Sequence, residues 1–225
     1  MALTKTSSPY GSWASPVSAA QLAAKSLRLS EPRLSRNRAY WLEGRPDNKG
    51  RTVLVMHGES GTRDVTTPGF DVGTRAGAYG GGAYVALNDA VLFANALDGR
   101  IYRASAGEPE AVTPESDRRF ADLTHDPVRE RIVAVCERQR PSAAPVTSLV
   151  AIGPDGRVRD LYDGPDFIAS PALSPRGDRI VWLEWDNPFM PWDGCRLLVA
   201  GFGADGGIES PRVIAGSDNE SIFQP

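Results

Sequence analysis

The stretch Ser170 to Ala200, SPALSPRGDRIVWLEWDNPFMPWDGCRLLVA, decides the fold. Ser170 to Leu173 is a short extended run. Ser174-Pro175-Arg176-Gly177-Asp178 is a turn, with Pro and Gly where a tight reversal needs a fixed φ and a positive φ. Arg179 to Trp185 is rich in β-branched and aromatic residues and reads as a strand. Asp186 to Gly194 is a loop interrupted by Pro188 and Pro191, and Arg196 to Ala200 is a second apolar strand.

Working outward, the same order of elements occurs three more times. Each copy has four short apolar runs, A to D. Run A is Pro32-Arg33-Leu34, Ala83-Tyr84-Val85, Ala121-Asp122-Leu123 and Pro171-Ala172-Leu173. Run B covers residues 39–43, 90–94, 131–136 and 179–185; run C covers 52–56, 100–104, 148–152 and 196–200; run D covers 63–66, 110–113, 158–162 and 211–214. Matching Leu34, Tyr84, Leu123 and Leu173 gives steps of 50, 39 and 50 residues. The A–B turns are polar in every copy. A repeat of this length, four antiparallel strands long, predicts β-propeller blades, because one twisted four-stranded sheet cannot bury both faces unless copies of it stack around an axis.

The expected fold is therefore all-β: a partial β-propeller of about four four-stranded blades behind a short N-terminal helix. Residues 1–29 form an extension, in which Ser15 caps and Pro16 opens a helix to about Lys25, with Val17, Ala20 and Ala24 on one side. Tyr10 and Trp13 are the residues that would pin the Ser/Gly-rich start to a neighbour. The propeller spans 30–225, with blades at about 30–68, 80–115, 119–164 and 169–216. By register, 221–225 is where run A of a further blade begins, so the ring is expected to be incomplete.

Composition narrows the function. Net charge is -3 with 24% charged residues, which lacks the clustered basic excess of a nucleic-acid footprint. No run of about 18 apolar residues marks a membrane span, and no charged-then-apolar leader is visible. Cys136 and Cys195 lie far apart beside apolar strands and read as buried free thiols, with a disulfide left open by their spacing; the expected compartment is cytoplasmic. Two scattered His and two Cys do not make a zinc site, the acidic residues 163–166 lack the spacing of a calcium loop, and no cofactor is expected. Gly58-Glu59-Ser60-Gly61 has Thr62 where a nucleophile elbow needs Gly, so neither it nor His57 beside it is assigned a catalytic role. His125 reads as a surface turn residue.

Strand alternation puts the B–C and D–A loops on one face. They are the longest and most aromatic loops: 69–82, 163–170, 186–194 and 216–225. A ligand or partner domain is expected there. The candidates are Tyr79, Gly80, Gly81 and Gly82, whose glycines permit close backbone approach or positive φ, together with Trp185, Asp186, Trp192 and Asp193 around two prolines, and Phe223.

The chain resembles the N-terminal propeller of prolyl oligopeptidase-family serine peptidases, in the bacterial dipeptidyl-peptidase and acylaminoacyl-peptidase-like branch. The matching strings are Tyr10-Gly11-Ser12-Trp13 with Ser15-Pro16, Glu31-Pro32-Arg33-Leu34, Tyr40 to Pro46, Arg51 to Val55, Tyr79-Gly80-Gly81-Gly82-Ala83-Tyr84, Leu173-Ser174-Pro175, Trp185-Asp186, Met190 to Gly194, and Glu220 to Pro225. The fully spelled turn at 174–178 is of the TolB-like and peptidase type. The resemblance implies a propeller that caps a C-terminal α/β-hydrolase domain and restricts access to short peptides. It carries over no catalytic residue, because the Ser, Asp and His of such enzymes lie in the hydrolase domain. Where the family pattern has His-Glu before the Tyr-Gly-Gly-Gly string, this chain has Gly77 and Ala78, which removes an acidic partner for a peptide amine. The alternative is a free-standing TolB-like propeller binding a protein through the same face. A metal-dependent lactonase would need axial carboxylates, which the matched run A residues do not supply.

Overall fold

A computed structural model describes residues 7–23, 26–76, 81–105 and 107–225. Four antiparallel sheets of four strands follow one another along the chain, each in sequential order. The first is β1 (Arg28–Ser35), β2 (Arg38–Arg45), β3 (Arg51–Gly58) and β4 (Gly61–Asp64). The second is β5 (Tyr84–Ala86), β6 (Val91–Ala94), β7 (Ile101–Ala104) and β8 (Glu110–Ala111). The third is β9 (Arg118–Asp126), β10 (Arg131–Arg140), β11 (Ala143–Ile152) and β12 (Val158–Asp163), and the fourth is β13 (Phe167–Leu173), β14 (Arg179–Trp185), β15 (Cys195–Phe202) and β16 (Ile208–Ser217). These are the propeller blades that the repeats predict, and they do not close into a ring.

The period-two alternation of strand side chains explains the stacking. Along β6, Val91 and Phe93 meet Tyr40, Leu42 and Leu54 of the first blade, while Leu92 and Ala94 meet Phe120, Leu123 and Ile132 of the third. Along β10, Ile132, Ala134 and Cys136 face the second blade, and Val133 and Val135 face Ile180, Trp182 and Leu198 of the fourth. Strands buried on both faces cannot show the apolar–polar alternation of a half-solvated sheet, so runs B and C read as continuous apolar runs. Trp182 is fully buried, and truncating a side chain of this size in a core costs about 3–5 kcal/mol.

The turn at 174–178 forms as its residues dictate. The Arg179 carbonyl accepts from the Ser174 amide at 3.0 Å, the Ser174 carbonyl accepts from the Gly177 amide at 2.8 Å, and Gly177 takes φ 66°.

Several local expectations are corrected. The helix begins at Ala19 and not at Pro16, as α1 (Ala19–Ala23); Ala24 and Lys25, where its expected end falls, lie outside the described residues. Its cap is Ser18, whose hydroxyl accepts from the Gln21 amide at 3.1 Å while the Gln21 side chain accepts from the Ser18 amide at 2.7 Å; this reciprocal pair outcompetes Ser15, whose hydroxyl is taken by the Val17 amide. Val17 and Ala20 are exposed rather than packed. Tyr10 and Trp13 stack edge-on with each other at 5.7 Å and stay exposed, so they pin each other and not the propeller. His125 lies in β9 and not in a turn, and residues 167–170 and 216–217 belong to strands instead of loops.

Both cysteines are free and buried. Burial pushes the Cys136 thiol up to about 11, against the pull of the nearby Arg118 cation. The thiolate is the reactive species. Iodoacetamide at pH 8 is therefore expected to leave Cys136 unmodified in the folded chain and to alkylate it fully in urea. Labelling of native Cys136 at the unfolded rate, read by peptide mass spectrometry, would contradict the burial.

Candidate functional site

The first strand of three blades carries a bulge. The register shifts between Ser30 and Arg33 in β1, between Ala121 and Thr124 in β9, and between Ala169 and Ala172 in β13. At each bulge one residue takes a left-handed conformation: Glu31 at φ 50°, Asp122 at 52° and Ser170 at 53°. Aligning the bulges places Leu123 with Pro171 rather than with Leu173, so the third copy of run A is offset by two residues from the sequence match.

Two bulge carboxylates clip successive blades together. Glu31 accepts from the Ala83 amide at 2.9 Å, and its carbonyl accepts from the Tyr84 hydroxyl at 2.5 Å. Asp122 accepts from the Gly82 amide at 2.5 Å with Oδ1 and from the Ser170 amide at 2.8 Å with Oδ2, while its own amide donates to the Gly82 carbonyl at 2.8 Å. Desolvation pushes the Glu31 carboxyl up, against the Ala83 amide and the Arg33 cation, which pull it down. The glycines permit this approach: a Cβ at Gly81 would sit 2.8 Å from that of Ala121, and one at Gly82 would sit 2.7 Å from Nη2 of Arg33.

Beside Asp122, on the B–C and D–A face, lies a pocket of about 250 Å³ between the third and fourth blades. Phe167 and Trp185 stack at 5.4 Å and 14° to form one wall. Ile168, Leu183, Val135 and Ile222 extend the apolar lining, with Asp122, Glu137 and Thr147 at its polar side and Pro191 and Phe223 at its rim. Trp185 is buried, and its indole N–H has no partner among the described residues. Phe223 is 83% exposed. Residues after β16 are held there by the Cys195 amide, which donates to the Glu220 carbonyl at 3.0 Å, and by the Ile222 amide, which donates to the Cys195 sulfur at 3.1 Å.

The fold thus brings Gly81, Trp185 and Phe223 together, with Gly82 adjoining through Asp122. Asp186 is occupied elsewhere: Arg196, at 2.6 Å, holds its carboxyl below the usual range, and it also accepts from the Asp166 amide. Asp193 accepts from the Met190 amide within its own turn, and Trp192 is exposed on the same loop. Tyr79 and Gly80, like Gly77 and Ala78, lie outside the described residues. Sequence reading missed Asp122, Glu137 and Phe167. A lone carboxylate inside the apolar run Ala121-Asp122-Leu123 was the available signal for the first of these.

Stacked four-stranded blades around clipped inner strands define a β-propeller, here an open one. No family model matches the chain, and no curated protein matches it either. Solved structures do. A Mycobacterium tuberculosis puromycin-hydrolyzing peptidase is 34% identical, with a TM-score of 0.86 over 98% of this chain and 37% of that one. A mutant of puromycin hydrolase complexed with PGG is 28% identical, with a TM-score of 0.84 over 96% of this chain and 37% of that one. TolB from Acinetobacter baumannii shares the fold alone, at 16% identity and a TM-score of 0.55, over 87% of this chain and 45% of that one. The peptidase neighbours match through their N-terminal β-propeller portions, and this chain spans about 37% of their length.

Proposed function

We propose that this propeller gates and positions short peptides for a C-terminal α/β-hydrolase domain of a serine peptidase, and that by itself it hydrolyses nothing. The observation that carries this reading is the pocket walled by Phe167 and Trp185, which opens on the face where the long aromatic loops converge. Mostly apolar pockets with a few convergent polar groups are the usual form of small-ligand sites, and this one, at about 250 Å³, suits a small ligand. Likeness to puromycin-hydrolyzing peptidases supports ligands in which an aromatic or other apolar side chain is joined to an amide. The unpaired buried thiols support a cytoplasmic setting, and no helix among the described residues is long and apolar enough to cross a membrane.

Titration of the chain with puromycin and with the tripeptide Pro-Gly-Gly, followed by tryptophan fluorescence, tests this. A saturable change that disappears in Trp185→Phe is expected. No response to either compound, or one that survives the substitution, would move the function to the TolB-like alternative of a protein-binding propeller.

A further inference from the structure

We propose that the chain carries a second recognition site, for the carboxylate of a short peptide, in the cleft between the second and third blades. That the carboxylate belongs to a peptide rests on the function proposed above; that the cleft binds a carboxylate does not.

The cleft has a volume of about 300 Å³ and is lined by Arg75, Arg118, Arg119, Gly99 and Gln139, with Asp98 and Asp117 also at its wall. The guanidinium groups differ in their commitments. Arg118 is paired with Asp160 at 3.1 Å. Arg75 and Arg119 form no ion pair among the described residues, although Glu137 stands directly opposite Arg119 across the strand pair. Glu137 instead accepts from the Gln139 side chain at 3.0 Å. Asp98 is held by the Tyr102 hydroxyl at 2.6 Å and the Arg100 amide at 3.0 Å. With Asp160 counted against Arg118, three guanidinium groups face three carboxylates, so the attraction for a carboxylate rests on the uncommitted forks of Arg75 and Arg119 and not on a net charge. The planar guanidinium fork matches a carboxylate in two-point contact.

Glycine at position 99 lets one wall approach β9 closely. Gly99 takes φ 76°, and a Cβ there would lie 3.2 Å from the Arg118 carbonyl oxygen. The cleft also adjoins the apolar pocket. Gln139 lines the first and Glu137 the second, and these residues share one face of β10, about 7 Å apart at the rise of a strand. An extended tripeptide spans about 10 Å, enough to place an apolar end in the pocket and its carboxylate in the cleft.

The test is an amide-resolved NMR titration of the full chain with N-acetylglycine, which has neither a free amine nor an apolar side chain. The expected result is saturable shifts at Gly99, Arg119 and Gln139, absent with N-acetylglycinamide. Arg119→Gln and, independently, the exposed Arg75→Gln should each weaken binding about fivefold, the size of an exposed ion pair. Shifts of equal size with acid and amide, no shifts with either, or affinity unchanged in both variants would overturn the site. A response to inorganic phosphate without one to N-acetylglycine would overturn its assignment to a carboxylate. Failure of the peptidase reading shows separately, as silence of Trp185 toward puromycin and Pro-Gly-Gly while the N-acetylglycine result stands.

Discussion

Asp122→Ala is expected to lower the thermal unfolding midpoint by about 10 °C. The carboxylate accepts from the amides of Gly82 and Ser170, which belong to the blades on either side of its own. Hydrogen bonds to a charged group contribute about 1.5–3 kcal/mol each, and their loss leaves two amides facing an inter-blade seam without an acceptor. Alanine at φ 52° adds about 1 kcal/mol of left-handed strain that Asp and Asn tolerate better. The sum, about 4–7 kcal/mol, converts at the 2–4 °C per kcal/mol of a domain this large to about 10 °C at its low end. Asp122→Asn keeps the backbone preference and one acceptor oxygen, so it should lose about half as much. Differential scanning calorimetry of the three chains decides the matter: equal midpoints for alanine and wild type would mean that the clip contributes nothing.

Asp126→Ala is expected to cost a similar amount for a different reason. Asp126 is fully buried and receives Arg131 Nε at 2.9 Å and Arg129 Nη1 at 3.2 Å. Arg129 also donates to the Gly177 carbonyl at 2.8 Å, and its guanidinium lies 4.1 Å from the Phe202 ring, so the cluster joins the third blade to the fourth. The Arg131 side chain is only 9% exposed. Removing its counter-charge leaves a buried cation uncompensated, at a cost of about 3–5 kcal/mol. Replacing both members with apolar residues removes that penalty, so Asp126→Ala combined with Arg131→Leu should recover part of the loss in urea denaturation. A double variant less stable than Asp126→Ala alone would show that Arg131 stabilises through packing and its other contacts instead.

These two residues mark where sequence reading stops. Asp126 reads as part of the polar turn 126–130, and Asp122 as the odd member of an apolar run; neither neighbourhood shows that a partner blade is 40 or more residues away in the chain. The same limit hid the pocket. Gly81, Trp185 and Phe223 are legible because their loops leave the same face, a consequence of strand alternation, but Phe167 reads as loop and nothing in the local sequence singles out Glu137. Asp186 and Asp193 carried the same sequence signal as the pocket residues, and local hydrogen bonds and an arginine claim both.

Local sequence is enough to specify the blades. Turn chemistry at Ser174 to Asp178, β-branched and aromatic runs of strand length, and their fourfold recurrence all act over a few residues, so composition and spacing carry them. Sequence also set the face on which the long loops gather. Tertiary packing alone sets which carboxylates clip the blades, which side chains wall the pocket, and which arginines form no ion pair among the described residues. Those properties depend on how adjacent sheets are offset and rotated. The offset is set by bulges in three inner strands, where one residue at positive φ shifts the register without leaving a glycine to mark it.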